Sequence, residues 1–394
     1  MADHTKIEWT DATWNPITGC SLVSPGCTNC YAMKLAGTRL KHHPSREGLT
    51  KDSKAGPVWT GEVRFNEQWL DQPLLWTKPR MIFVCAHGDL FAEGVTDAWL
   101  DQIFAVMALS PRHTFQVLTK RPERMRAYLS NPETVQRVYD LVMDMVVVDG
   151  VKAILTTPRT HDVAPAGNKV MLGLWPLPNV WCGVSVEDQK RAVERIPVLL
   201  QTPATIRWIS AEPLLGLINL TTIDVDNDSF VDALNIRLWG DEIENWQGTE
   251  QDWETSFMDW YNLAEMPDPE LEILPRLDWV VVGGESGRAA HPMHPDWARS
   301  LRDQCAAAGV PFLFKQWGHW REWRDVASGF TNCSRFDRLG NVTEARARLH
   351  APYRNGFQQP EGDFPWQGNF LRFEKSVAGR LLDGVEHNAF PEVR

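Results

Sequence analysis

Residues 179–215, NVWCGVSVEDQKRAVERIPVLLQTPATIRWISAEPLL, contain one complete repeat of the fold. A run of β-branched and aromatic residues at 179–184 ends in polar residues, a helical pattern follows over 187–200, and a second such run stands at 205–209. This alternation of short apolar runs with helical periodicity is the sequence form of a βα unit. Working outward, it predicts further strands at 12–18, 81–86, 114–118, 278–282 and 311–314, and helices over 29–40, 97–108, 132–148 and 295–308. Parallel strands are joined by right-handed crossovers, so six or seven units curl into a partial or complete (β/α) barrel of the TIM type, in the α/β class. Function in such a fold lies at the C-terminal strand ends. There the sequence places Asp89, Lys120 with Arg121, Ser185 with Glu187, Glu212, Glu285 with Ser286, and Lys315 with Gln316. Any one of these fits a capping residue; six polar strand ends together point to a site.

The expected barrel occupies residues 1–318, interrupted by a long connection at 41–80 and an acidic, Trp-rich insertion at 217–277; residues 319–394 form a C-terminal extension. With 43% hydrophobic and 23% charged residues in 394, the composition is that of a globular protein and argues against disorder or a collagen-like chain. The longest apolar runs, 145–148 and 280–282, are far short of the roughly 20 residues that cross a bilayer. The N-terminus lacks the zones of a signal peptide, so the expected location is cytoplasmic, without membrane association. The net charge of −11 is concentrated: residues 221–275 hold fifteen acids and one base, Arg237. The remainder is slightly basic, with groups at 41–54 and 321–354, which leaves an anionic ligand open. The acidic insertion reads as a lid or a protein-partner surface, and most of the nineteen Trp read as core.

Seven cysteines are too few and too uneven for a disulfide scaffold. Cys85, Cys182, Cys305 and Cys333 are scattered, but Cys20, Cys27 and Cys30 cluster in WNPITGCSLVSPGCTNCYAMKLA, residues 14–36. Gly19, Pro25 and Gly26 make a loop of this C-x6-C-x2-C segment, and Cys30 opens a helix, where the helix terminus favours thiolate. Three soft ligands suit an iron–sulfur cluster or zinc. Three thiolates leave one iron of a four-iron cluster open to a cofactor, whereas structural zinc wants a fourth ligand, for which His4, His42 and His43 stand near in sequence.

The motifs IEWTDATWNP, CxxCYA, GDLF, GVSVE, SAEPLLG, GGESG and FKQWG, distributed over residues 7–318, resemble those of the phage-associated three-cysteine-motif family. A three-cysteine loop after the first strand of a partial barrel is also similar to the layout of radical S-adenosylmethionine enzymes. Departures are the usual C-x3-C-x2-C spacing, the aromatic usually preceding the third cysteine (here Asn29, with Tyr31 following), and a Gly-Gly-Glu motif after the sixth strand instead of the second. The resemblance implies that Cys20, Cys27 and Cys30 hold a 4Fe-4S cluster chelated by S-adenosylmethionine. A flavodoxin- or ferredoxin-like reductant would supply one electron. The resulting 5′-deoxyadenosyl radical acts on a substrate of unknown identity, with a nucleic-acid base, as in phage DNA modification, as the preferred one. It further implies a cofactor set of Tyr31 facing adenine, Lys120 or Arg121 on the methionine carboxylate, Ser185 on the ribose, and Gly283 and Gly284 along adenine. Glu187, Glu212 and Glu285 complete that set. If phage-encoded, the protein acts in the host cytoplasm. Two other readings stay open: a zinc-stabilised protein that binds nucleic acid or recruits a partner without catalysis, and an iron–sulfur redox or sensor protein.

Overall fold

The computed structural model describes residues 5, 7–147, 175–225, 229–235, 237–240, 276–287, 289–322, 370–372 and 378–392. Most of the acidic insertion, Cys333, His4 and nearly all of the Arg-rich stretch at 321–354 lie outside the described residues.

Seven strands form one sheet in sequential order: β1 (Ala12–Trp14), β2 (Met81–Val84), β3 (Thr114–Thr119), β4 (Val180–Ser185), β5 (Ile206–Ala211), β6 (Trp279–Gly283) and β7 (Phe312–Gln316). Every neighbouring pair is parallel, and β1 does not pair with β7, so the sheet is a curled half-barrel. The partial barrel expected from the repeats is therefore present. Helices α1 (Tyr31–Gly37), α2 (Asp97–Ala108), α3 (Pro122–Ser130), α4 (Pro132–Val147), α5 (Gln189–Leu200) and α6 (Pro295–Ala308) accompany it. Their starts follow local chemistry. Thr96 caps α2 by accepting from the Trp99 N–H, and Asp188 caps α5 by accepting from Arg191, which is why that helix begins after Glu187. Gly309, at φ 65°, ends α6.

The central strands β4, β5 and β6 are buried along their whole length, because both faces are covered. One face, with Val180, Cys182, Val184, Ile209, Val280 and Val282, packs on the helices through Leu100, Ile103, Phe104 and Leu301. The concave face carries Trp181, Ile206, Trp208, Trp279, Val281 and Leu313, around which Trp9 is inserted. Trp9 lies 5.2 Å from Trp208 and 4.7 Å from Phe83, centroid to centroid, so aromatic rings plug the N-terminal part of the half-barrel. Gly183 is required there: a Cβ would stand 2.5 Å from the Trp208 indole.

The strand predicted at 12–18 is two strands. Pro16 cannot extend the parallel ladder, and Ile17–Gly19 turns away to pair antiparallel with Val63–Phe65. Within the connection at 41–80, Thr50–Ser53 and Gly56–Trp59 form a hairpin that packs on α1. The far edge of the half-barrel is covered by the chain's own C-terminal segment. Phe314 N–H donates to the His387 carbonyl at 3.0 Å, Ala389 N–H donates to Phe312 at 3.3 Å, and Trp279 Nε1 donates to Ala389 at 2.8 Å. Among the described residues no helix is long and apolar enough to cross a membrane.

Candidate functional site

The cysteine segment leaves the short strand Ile17–Gly19, runs through a 3-10 turn at Pro25–Cys27 and enters α1 with Cys30 in the N-cap position. Gly19 is needed at the start: its φ is +96°, and a Cβ would meet the Glu62 carbonyl oxygen at 2.2 Å. All three thiols are free and half-buried. Cys20 and Cys30 rest on a small core of Met33, Ala36, Leu49 and Trp59. Burial, followed by the nearby Asp89 carboxylate, pushes the Cys20 thiol up to about 12, with Arg121 opposing. Burial likewise raises Cys30, and each of these two thiols feels Cys27 electrostatically. Cys20 and Cys30 thus lie close enough to Cys27 to feel it, and burial favours the protonated form of these two thiols until a cation takes the proton's place. Among the described residues no group of three or more His, Cys, Asp or Glu side chains is arranged to hold a metal ion.

Two clamps hold this loop over the strand ends. In the first, Asp89, buried after β2, accepts from the Phe91 N–H at 2.9 Å, Thr119 Oγ1 at 2.7 Å, the Lys120 N–H at 3.1 Å and Arg121 Nη1 at 3.0 Å. Arg121 extends from there to the loop. It donates to Cys20 Sγ at 3.5 Å, to the Ser21 carbonyl at 3.3 Å and hydroxyl at 2.5 Å, and to both Glu93 oxygens at 3.1 Å. Its five N–H groups are thereby engaged. Burial disfavours the Arg121 charge, but Asp89, Cys20 and Glu93 outweigh it and hold the guanidinium protonated.

In the second clamp, Glu187 is 1% exposed and accepts from the Gly26 N–H at 3.3 Å, Arg195 at 3.0 Å and Lys120 Nζ at 3.4 Å. Lys120 also donates to Ser24 Oγ at 3.2 Å. Burial would raise the Glu187 carboxyl, yet Lys120 and Arg195 prevail and keep it below its ordinary value. Gly26 allows this approach, since a Cβ there would lie 2.8 Å from Lys120 Nζ and 3.2 Å from Glu187. A further tie, Asn29 Nδ2 to the Ala289 carbonyl at 2.8 Å, reaches the loop after β6.

Lys120, Arg121 and Glu187 therefore gather at the three cysteines as residues that position the loop. The other candidates form separate groups. Glu212 receives Lys315 Nζ at 2.9 and 2.7 Å and Gln316 Nε2 at 3.2 Å, and it lies against Gly283, where a Cβ would stand 3.1 Å from the carboxyl carbon. Gly284 has no room for a side chain, because the Trp317 carbonyl oxygen would be 2.1 Å away. Glu285 accepts from the His291 N–H at 2.7 Å and meets its ring Nδ1 at 2.6 Å. Ser185 is buried at the end of β4, with its carbonyl held by Arg195 at 2.6 Å. Tyr31 is 67% exposed at the rim, its ring 6.0 Å from His87. Of the two histidines described among the proposed zinc ligands, His42 is exposed and His43 pairs with Ser45 Oγ at 2.7 Å.

Sequence reasoning missed Arg195, Glu93 and Asn29. Arg195 reads as surface charge on α5, and no periodic signal distinguishes a helix arginine that turns inward to Glu187. No curated protein and no solved structure matches the chain. A family described as "Protein of unknown function (DUF5131)" matches residues 4–391, and the chain belongs to that family.

Proposed function

We propose that this protein is an iron–sulfur enzyme of the radical S-adenosylmethionine type, with Cys20, Cys27 and Cys30 as ligands of a 4Fe-4S cluster. The observation that carries the reading is three free thiols on one loop, clamped across the C-terminal ends of β3 and β4 by Arg121 and Glu187. Three soft donors suit a cluster with an open iron, whereas a closed zinc site wants a fourth ligand, and of the described histidine candidates His43 Nδ1 pairs with Ser45 Oγ. When bound and reduced by a flavodoxin- or ferredoxin-like partner, the cofactor supplies a carbon radical for hydrogen abstraction, and a nucleic-acid base is the proposed substrate.

The chain's own residues position and tune. Arg121 directs an N–H at the Cys20 sulfur, a contact that stabilises thiolate and sets the charge environment of a ligand. Lys120 and Glu187 fix Ser24 and Gly26, so the cysteines are held to the rigid strand ends. The Glu212 and Lys315 pair and the buried Ser185 furnish polar groups at the same ends of β4, β5 and β7, where the cofactor and substrate would lie.

The test is iron, zinc and acid-labile sulfide content of protein purified without oxygen. About four iron and four sulfide per chain support the reading. Stoichiometric zinc without sulfide overturns it.

A further inference from the structure

We propose that α1 and the hairpin beside it form the docking surface for single-stranded nucleic acid, with Tyr31 as the stacking residue. This deepens the proposed base-modifying function and rests on it for the choice of substrate.

The first observation is where apolar surface lies. Among the described residues eight large hydrophobic side chains are exposed, and three of them, Leu22 at 47%, Val23 at 40% and Tyr31 at 67%, surround the cysteines. Single exposed apolar residues are ordinary, but a group around three thiols is not. Tyr31 stands in the first turn of α1, adjacent to Cys30, two-thirds exposed and with its ring 6.0 Å from that of His87.

The second observation is charge. Residues 31–60 hold six Lys or Arg against two acids, in a chain whose net charge is −11. Arg39, Lys51 and Lys54 are exposed on this unit. A polyanion would be repelled by the chain as a whole and drawn to this place.

The third is rigidity. The hairpin packs on α1 through Met33, Ala36, Leu49 and Trp59, the small core on which Cys20 and Cys30 also rest. At Gly37 the contact is so close that a Cβ would meet the Pro57 ring at 2.0 Å. The basic residues, the aromatic ring and the thiols are thus carried by one packed unit. A phosphate backbone along Arg39, Lys51 and Lys54 would present an unstacked base to Tyr31, next to the cysteines. Stacking requires an unpaired base, which selects single strands or an extruded nucleotide over duplex.

The experiment is fluorescence anisotropy of a labelled 12-nucleotide single-stranded DNA with the full chain, iron content being measured on the same sample. Tyr31→Ala is expected to weaken binding about tenfold, with Tyr31→Phe close to the unmodified protein. The double variant Lys51→Gln, Lys54→Gln is expected to reduce the slope of log affinity against log salt by about 1.4, from about 0.7 per phosphate contact. Duplex DNA and inorganic polyphosphate of equal charge should compete at least tenfold less well. Equal competition by polyphosphate, or unchanged binding by Tyr31→Ala with its fold intact by circular dichroism, overturns the proposal. DNA binding by protein that holds stoichiometric zinc and no sulfide overturns the cluster reading alone, whereas a full cluster with no DNA binding overturns the docking surface alone.

Discussion

Arg121 Nη1 donates both to Asp89 Oδ2 at 3.0 Å and to Cys20 Sγ at 3.5 Å, so one guanidinium joins the end of β2 to the first cysteine. Both charged side chains are at least nine-tenths buried, 9% and 7% exposed. A pair of this kind contributes little compared with apolar packing, but removing one member leaves the other charge uncompensated. Arg121 thus ties the cysteine loop to the end of β2 through Asp89, Ser21 and Cys20.

Arg121→Ala is expected to lower stability by about 3–5 kcal/mol in urea unfolding, because Asp89 keeps its neutral donors and loses its cation. Arg121→Lys should recover only part of this, since one ammonium cannot span Asp89, Glu93 and Ser21 together. If loop positioning is the role, the Lys variant that still folds should also hold less iron than the unmodified protein. Full iron content in that variant would contradict the role.

His87 provides a pH test. Burial first, and then the Arg46 guanidinium whose Nη2 lies 2.5 Å from His87 Nδ1, lower the histidine pKa from 6.5 to about 4. The folded state thus binds fewer protons than the unfolded chain between these values. The stabilisation is complete above pH 6.5 and is lost as pH falls towards 4, amounting to roughly 3 kcal/mol. His87→Asn, which keeps an acceptor for Arg46, should show a flatter decline in urea stability across that window. Parallel curves for the two proteins would exclude His87 as the group.

The strands were legible because β4, β5 and β6 are buried on both faces, which forces near-continuous apolar and aromatic sequence. Their ends were less so: β5 runs on through Ser210 and Ala211, whose small or polar side chains are buried yet carry no apolar signal. The nine-residue α3, started by Pro122 and followed directly by Pro132, was not foreseen, nor was the hairpin within 41–80. The site was legible as a set of residue types and not as a set of partners. Glu187 meets Gly26 across 161 positions, and Arg121 meets Ser21 across 100, distances over which sequence spacing carries no geometric information.

Gly183→Ala tests the packing of the concave face. The added methyl would stand 2.5 Å from the Trp208 indole, itself fully buried and fixed by Trp9 and Trp279. With no room for the ring to retreat, overpacking should cost about 1–3 kcal/mol. A thermal midpoint unchanged from the parent would show that the aromatic plug is looser than the structure indicates.

The cysteines themselves give the last prediction. Cys182 and Cys305 are buried against the helix side of the sheet, where burial raises both thiols to about 12. Cys85 is likewise buried, at a φ of 57°, and burial raises its thiol. Such thiols behave as small apolar side chains and have no access to a metal arriving from solvent. Replacing any of them with alanine should reduce stability without reducing iron content per folded chain. Cys20, Cys27 and Cys30 differ in lying half-buried on one clamped loop, so on the proposed assignment each loss would remove one cluster ligand. Iron and sulfide should fall to background in Cys20→Ala, Cys27→Ala and Cys30→Ala, while circular dichroism stays that of the parent. Cys27 is the discriminating position, because its sulfur lies 3.8 Å from Ser24 Oγ, a hydroxyl fixed by Lys120 rather than by packing. Its removal should leave the fold least disturbed, so a normal cluster in Cys27→Ala would refute the three-cysteine assignment outright.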